Sequence, residues 1–192
     1  MTLHAVLGPD DGLLVVDVQN DFCSGGALAV TEGDAVVAVI NDFVEQRRPQ
    51  HVYASRDWHP RGTRHFKEQG GSWPVHCVQE TAGAALHSGL HLPPGTVLIS
   101  KGSDPNQDGY SAFEGQDPEG RLFAERLQLD GVRRLFVTGL ATDYCVRASV
   151  LDARAHGFQV VVIEAAVRAV DPEAGPAALA EMRRAGARVE AK

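Results

Sequence analysis

Short runs of consecutive hydrophobic residues alternate along the chain with longer stretches in which hydrophobic residues return every three or four positions. Some of these runs are hydrophobic at every position, which is typical of strands that are buried on both faces of a sheet. The runs predict strands at Gly12–Val18, His51–Ser55, Thr96–Ser100, Arg133–Thr138 and Gln159–Ile163, with a short sixth strand at Ala187–Glu190.

The stretches between most of these strands have helical periodicity. Thr31–Gln46 combines a Thr that can cap a helix, acidic residues suited to a first turn, and one hydrophobic face. Similar patterns predict helices at Gly120–Leu129, Thr142–His156 and Pro172–Ala185. Strands that alternate with helices indicate an α/β fold, with a doubly wound, mostly parallel sheet of five or six strands and helices on both faces. We expect residues 1–192 to form one domain.

One long segment, Arg56–Leu92, departs from this alternation. It is rich in Gly, Pro, His and Trp, and its periodicity is weak except around Ala82–His87, where a short helix is an option. Long segments of this kind in compact domains usually carry function. We therefore expect this loop to contribute to a site.

Chemically reactive residues stand where the predicted strands end. Asp17 ends the first strand, Asp57 follows the second, Lys101 follows the third, and Cys145 opens the helix after the fourth. Ligands of open parallel sheets bind beyond the carboxyl ends of the strands, so these four side chains are expected to lie close together.

A thiol, a carboxylate and an ammonium from this set are the candidate catalytic residues. Cys145 lies in a predicted first helical turn, where free N–H groups and the helix dipole favour a thiolate and can hold an oxyanion. Asp17 is the candidate base, and Lys101 is a specific choice in a chain with only 3 Lys among its 18 basic residues. Taken singly, each has an ordinary alternative: a buried small residue, a capping Asp and a surface Lys.

A catalytic role is better supported for the three residues together than for any one of them alone. On reference values, proton transfer from a free thiol to a free Asp is uphill by about 6 kcal/mol. Burial of Asp17 should raise its pKa, while Lys101 and the helix terminus should lower the pKa of Cys145. We expect Cys23 and Cys77 to be buried without a chemical role.

The long segment Arg56–Leu92, called the His-rich loop below, contains a candidate metal site. One carboxylate and three imidazoles suit Zn²⁺, Fe²⁺ or Mn²⁺, and chance spacing is the alternative explanation. The candidate ligands are Asp57, His59, His65 and His76. Two aromatic residues near these polar groups, Phe22 and Trp73, could face a flat ligand, although core packing is the alternative for Phe22.

Composition narrows the classes of partner. The chain has 192 residues, 18 basic and 25 acidic residues and a net charge of −7, which disfavours binding to nucleic acid. Three cysteines do not make a disulfide framework, and Met1–His4 has no basic region of the kind that opens a signal peptide. We expect a cytoplasmic protein that does not bind a membrane.

The glycine patterns of nucleotide-binding sites are also missing from the sequence. Neither a dinucleotide-binding nor a P-loop glycine pattern occurs, which disfavours both kinds of nucleotide site.

Five sequence blocks, in order along the chain, resemble the nicotinamidase/pyrazinamidase group of the isochorismatase-like cysteine hydrolases. The blocks are Val16–Phe22, Ser55–Pro60, Trp73–Cys77, Lys101–Gly102 and Gly139–Val146. The first and last blocks alone indicate only the superfamily, whereas the five together indicate the nicotinamidase group. The resemblance implies hydrolysis of nicotinamide to nicotinate and ammonia in NAD salvage, with pyrazinamide as a further substrate.

The resemblance also implies a role for each candidate residue. It implies a triad of Asp17, Lys101 and Cys145, one divalent metal ion on the four ligands above, with Zn²⁺ favoured over Fe²⁺ or Mn²⁺, and contacts from Phe22 and Trp73 to the substrate ring. The oxyanion hole would be the backbone N–H groups of Ala141 and Cys145, with a cis peptide bond between Leu140 and Ala141.

Several alternatives remain at this stage. Another small-amide hydrolase of the superfamily would keep the triad but would not need the metal ligands, and an isochorismate hydrolase would not need Cys145. A receiver domain would show paired acids after the first strand, and a metal-binding scaffold would not depend on the thiol. The role of Tyr110, the role of the loop Ser103–Gly109 and the oligomeric state stay open; a homo-oligomer is compatible with the sequence.

Overall fold

A computed structural model describes residues 7–191, and Met1–His4 lies outside the described residues. Its centre is a sheet of six parallel strands in the order β3-β2-β1-β4-β5-β6. The strands are β1 (Asp11–Val16), β2 (His51–Asp57), β3 (Val97–Lys101), β4 (Arg134–Leu140), β5 (Gln159–Arg168) and β6 (Arg188–Glu190). The predicted doubly wound parallel sheet is confirmed, with six strands.

Helices cover both faces of this sheet. They are α1 (Ala35–Arg47), α2 (Phe123–Leu129), α3 (Arg147–Ala155) and α4 (Gly175–Arg184), with a π-helical turn at Thr142–Val146 before α3. Helix α1 packs on one face, where its Ile40 belongs to the same core cluster as Leu13 and Val15 of β1. Helices α2 to α4 pack on the other face around Leu14 and Val16. The alternating side chains of β1 therefore fill both hydrophobic cores.

Several predicted helices differ from those observed, and α2 and α4 each begin three residues later than predicted. Helix α1 begins four residues later than predicted, because Thr31 and its neighbours form turns and the carboxylate of Asp34 accepts a hydrogen bond from Ser24 N (3.1 Å). Residues Ala82–His87 form turns rather than a helix. Within residues 7–191, none of the helices combines the length and the hydrophobicity that crossing a membrane requires.

The strand order reverses between β1 and β4, which are adjacent in the sheet although far apart in the sequence. A crevice opens at such a switch point, beyond the carboxyl ends of the strands. Gly139 near the end of β4 has φ +106°, and a Cβ there would lie 2.0 Å from Val16 O. Only glycine lets β4 pass this close to the end of β1.

Candidate active site

Asp17, Lys101 and Cys145 meet in this crevice, as predicted. Asp17 follows β1, Lys101 is the last residue of β3, and Cys145 lies in the π-helical turn after β4. The Lys101 ammonium lies 2.8 Å from Asp17 Oδ2 and 3.4 Å from Cys145 Sγ. All three residues are at least 93 % buried, so their charges interact with little screening by water.

Lys101 also joins this group to the His-rich loop, a contact that the sequence did not reveal. Its ammonium donates hydrogen bonds to Asp57 Oδ1 (2.5 Å) and to Gly109 O (3.0 Å). Ser55 Oγ donates to Asp17 Oδ1 (2.8 Å), which holds the carboxylate from its other side. One buried ammonium therefore balances two buried carboxylates.

The pKa values in this cluster follow from burial and from the shared lysine. Burial raises the pKa of Asp17, and Lys101 offsets only part of that effect. Burial also acts to raise the pKa of Asp57, but Lys101 and His59 outweigh it and hold this pKa below its usual range.

Burial raises the pKa of Cys145 well above its usual range, despite the favourable charge of Lys101. The expectation of a lowered pKa for this thiol was wrong, because loss of hydration outweighs one ammonium. The resting site therefore contains a neutral thiol, with Sγ within 4.8 Å of a carboxylate oxygen of Asp17.

Three imidazoles of the long loop converge beside Asp57. His59, His65 and His76 are buried, and each offers a ring nitrogen within 4.8 Å of the other two. Asp57 Oδ2 lies 3.6 Å from His59 Nε2 and 3.9 Å from His76 Nε2. All four metal candidates from the sequence are thus brought together.

The hydrogen bonds of these rings leave their inner nitrogens free for a cation. Each Nδ1 faces an oxygen: Gly102 O for His59 (3.1 Å), Pro74 O for His76 (2.8 Å) and Asp108 Oδ1 for His65 (2.7 Å). These acceptors hold the proton on Nδ1, so Nε2 keeps its lone pair.

A buried nitrogen without a partner is a direct test of whether a metal fits here. Among the residues that the structure describes, His59 Nε2 is buried and has no hydrogen-bond partner. An unpaired buried polar atom costs about 1–3 kcal/mol, which a coordinated cation would offset. Burial lowers the pKa of His76 to about 4, so this ring is neutral and able to coordinate at neutral pH. The donor set therefore fits a divalent metal ion.

A cavity lies between the two groups. Cys145 lies on its wall together with three of the candidate metal ligands, Asp57, His65 and His76. The remaining lining residues are Phe22, Leu28, Trp73, Tyr110, Ala141, Tyr144 and Val170. The predicted aromatic residues Phe22 and Trp73 therefore face the cavity, and Phe22 also packs in the core.

Two tyrosines complete the aromatic wall. Trp73 Nε1 donates a hydrogen bond to Tyr110 OH (2.8 Å), and the rings of Trp73 and Tyr144 meet edge to face at 4.9 Å. Tyr110, whose role the sequence left open, thus lies at the cavity. Tyr144 was missed, although its position next to Cys145 was the available signal.

The turn that presents Cys145 differs in detail from the predicted helix start. The peptide bond between Leu140 and Ala141 is cis, as predicted. Neither Thr142 nor Asp143 caps the turn; the carboxylate of Asp143 instead accepts hydrogen bonds from Val170 N (2.9 Å) and from the next backbone N–H. Asp143 thereby fixes the turn to the segment after β5.

A second group, Cys23, Asp34 and His87, also places three candidate ligand atoms close together. Gly89 N donates to His87 Nδ1 (3.1 Å), which leaves the ring proton on Nε2, facing Asp34 Oδ1 at 3.5 Å. Burial raises the pKa of Cys23 to about 12. These features suit a structural hydrogen-bonded cluster better than a metal site. Cys23 and Cys77 are buried free thiols, as expected.

The chain has relatives along nearly its whole length. The isochorismatase domain family matches residues 11–191. The nicotinamidase of Escherichia coli K12 is 42% identical over 200 residues, which cover 93% of each chain.

Solved structures with the same fold extend this result. PnC1 from L. infantum in complex with nicotinate has a TM-score of 0.89 and 40% identity, and the match covers 96% of this chain and 94% of that one. The pyrazinamidase of Pyrococcus horikoshii in complex with zinc has a TM-score of 0.85 and 42% identity, with 95% and 99% covered. With the buried thiol, carboxylate and lysine at the switch point of its parallel sheet, this chain belongs to the isochorismatase family.

Proposed function

We propose that the protein is a nicotinamidase, which hydrolyses nicotinamide to nicotinate and ammonia and so supplies nicotinate to NAD salvage. The observation that carries this proposal is the shared cavity: Cys145 lines it together with a carboxylate and imidazole cluster suited to a metal and with several aromatic rings. A flat ring with a nitrogen at one side and a carboxamide at the other matches this arrangement.

In the proposed reaction, Asp17 accepts the proton of the Cys145 thiol as Sγ attacks the carboxamide carbon. Because the pKa values of both groups are raised, transfer takes place during attack rather than before it. The backbone N–H groups of Ala141 and Cys145 are the proposed donors to the oxyanion. Asp17 then gives the proton to the substrate nitrogen, the C–N bond breaks, and ammonia leaves. The carbonyl carbon remains bound to Cys145 Sγ as a thioester.

The second half of the reaction uses the same residues. Asp17 removes a proton from water, the resulting hydroxide attacks the thioester carbon, and the C–S bond breaks to release nicotinate. The proton returns to Cys145 Sγ. Throughout, Lys101 holds the Asp17 carboxylate at 2.8 Å and places positive charge 3.4 Å from the sulfur, where negative charge develops.

Asp57, His59, His65 and His76 are the residues that would hold the metal ion, and Zn²⁺ is the ion proposed. When bound, it would supply a Lewis-acidic position for the ring nitrogen of the substrate. Phe22 and Trp73 are proposed to contact the ring faces. Pyrazinamide has a ring nitrogen at the same position relative to its carboxamide, so it is proposed as a second substrate.

The purified protein, supplied with zinc, is expected to release nicotinate and ammonia in equal amounts from nicotinamide. Benzamide is the matched control, because it keeps the carboxamide and the flat ring but lacks the ring nitrogen. We expect kcat/KM for benzamide to be at least about 100-fold lower, since a site that binds a polar atom discriminates strongly against its absence. Equal turnover of both amides would contradict the proposed orientation, and no turnover of nicotinamide would overturn the function.

Replacing Ser55 with Ala is expected to move the acid limb of kcat/KM to higher pH. Asp17 must be ionised to accept the thiol proton, and the Ser55 hydrogen bond lowers its pKa. Without that bond the pKa of Asp17 rises, so activity is lost at a higher pH, by about half to one pH unit for a bond of about 1 kcal/mol. The pH profile of the variant measures this shift.

Ser149→Ala is the control for this experiment. Ser149 is also buried, but its hydroxyl accepts a hydrogen bond from Ala112 N (2.9 Å), whereas that of Ser55 donates to Asp17. Its profile should match that of the wild type. If the Ser55 variant also keeps the wild-type acid limb, Asp17 is not the group whose ionisation limits activity there.

A further inference from the structure

The three imidazoles of the proposed metal site differ in what holds their outer nitrogens. His59 and His76 have backbone carbonyls at Nδ1, those of Gly102 and Pro74. His65 instead has the carboxylate of Asp108, with Oδ1 at 2.7 Å. His65 is therefore the only one of the three whose outer partner is a charged side chain, and a single substitution can remove that partner.

Asp108 lies in an exposed loop rather than in the core. Its side chain is 59% exposed, whereas that of His65 is 3% exposed. The loop is attached to the His-rich segment at a second point, where Arg64 N donates to Pro105 O (2.9 Å). A buried candidate ligand is thus oriented from the surface.

The same loop contacts the other parts of the site. Directly after Asp108, Gly109 O accepts a hydrogen bond from Lys101 Nζ (3.0 Å), and Tyr110 OH accepts one from Trp73 Nε1 (2.8 Å). Three successive residues therefore contact a candidate metal ligand, the lysine and the aromatic wall. This arrangement gives the loop Ser103–Gly109 a role that the sequence left open.

A carboxylate at Nδ1 has two effects on an imidazole ligand. It fixes the proton on Nδ1 and the orientation of the ring, and its negative charge makes Nε2 a stronger donor to a cation. Loss of such an outer partner typically weakens metal binding by about 10–100-fold. A backbone carbonyl fixes the ring in the same way but contributes less charge.

We propose that Asp108 is a positioning residue that holds His65 for metal coordination and sets how tightly the protein retains its metal ion. This proposal rests on the metal site given under the proposed function. It assigns to an exposed loop carboxylate the control of a buried site, while Asp108 itself contacts neither substrate nor reacting atoms.

The test is a zinc-affinity measurement on the purified, metal-free full-length protein, by competition with a chromophoric chelator. We expect Asp108→Ala to raise the Kd for zinc by about 10–100-fold. Asp108→Asn keeps an oxygen that can accept the Nδ1 hydrogen bond but loses the charge, so its Kd should lie between those of Asp108→Ala and the wild type. Asp104→Ala is the matched control, because Asp104 is an exposed residue of the same loop. Its carboxylate accepts a hydrogen bond from Asn106 N.

A second readout separates positioning of the ligand from general loosening of the loop. Loosening would lower kcat at saturating zinc through Gly109 and Lys101 and would leave the zinc Kd unchanged. Positioning predicts the reverse: a higher Kd for zinc, and at least partial recovery of activity when zinc is saturating. The thermal midpoint of each metal-free variant shows that the fold is intact.

Three different results would overturn the proposal. If wild-type protein binds zinc and Asp108→Ala binds it within about twofold as tightly, Asp108 does not position the ligand. If the wild type itself binds no zinc, the proposed metal site fails and this inference fails with it. A Kd for Asp104→Ala raised as much as that for Asp108→Ala would also reject a specific role.

Discussion

Cys145→Ala is expected to lower kcat for nicotinamide hydrolysis by at least about 10⁴-fold, because the variant has no atom that can form the thioester. The substitution removes one sulfur from a cavity wall, so the fold should persist. Zinc binding should also persist, since the proposed ligands are on the His-rich loop and at the end of β2. Parallel assays of ammonia release and zinc content measure both effects.

Cys23→Ala is the matched control for this variant. Cys23 is also a buried free thiol, but it lies beside Asp34 and His87 rather than at the cavity. We expect it to lose some stability and to keep its kcat. If Cys145→Ala retained a substantial fraction of turnover, hydrolysis would not need a thiol and the covalent mechanism would be wrong.

Lys101→Met is expected to be the most destabilising substitution in the site. It removes the ammonium that Asp17 and Asp57 share and leaves two buried carboxylates close together. Breaking a buried ion pair by removing one partner costs about 3–5 kcal/mol, and this lysine has two partners. Urea unfolding of the metal-free protein should show this loss, and nicotinamide hydrolysis should fall below detection.

A double variant distinguishes charge imbalance from poor packing. Asp17→Asn combined with Lys101→Met removes one negative and one positive charge, so it should recover part of the stability lost by Lys101→Met alone. It should stay inactive, because the proposed base is absent. Equal stability of the single and double variants would show that the lysine contributes packing rather than charge balance.

The catalytic and metal candidates could be predicted because the parallel fold itself determines where they meet. Once Asp17 and Lys101 are placed at strand ends, the sheet brings them to one edge whatever the loops do. The candidate ligands could be predicted from residue type and spacing. In both cases the residues can be recognised from the local sequence around them, and the regular arrangement of the strands brings them close together in the fold.

What the sequence did not reveal depends on contacts between distant segments. Asp108 reaches His65 only because its loop returns over the His-rich segment, and the lysine meets Asp57 because β2 and β3 end in register. The pKa direction of Cys145 was wrong for a similar reason: how deeply the thiol is buried depends on the whole cavity wall. Helix α1 starts late because Glu32 has a left-handed φ of +54°, which interrupts the helix predicted from Thr31.

The pairing of β1 with β4 has a consequence for the synthesis of the protein. Asp11 and Arg134 are paired across a separation of 123 residues. During translation, the segment that carries Asp17 emerges long before the one that carries Cys145, and pairing over so long a separation forms slowly. Until β4 is made, one edge of β1 has no strand beside it and is open to wrong partners. We therefore expect chains truncated before β4 to aggregate through this open edge. The proposed base and nucleophile come together only after β4 has been added to the sheet.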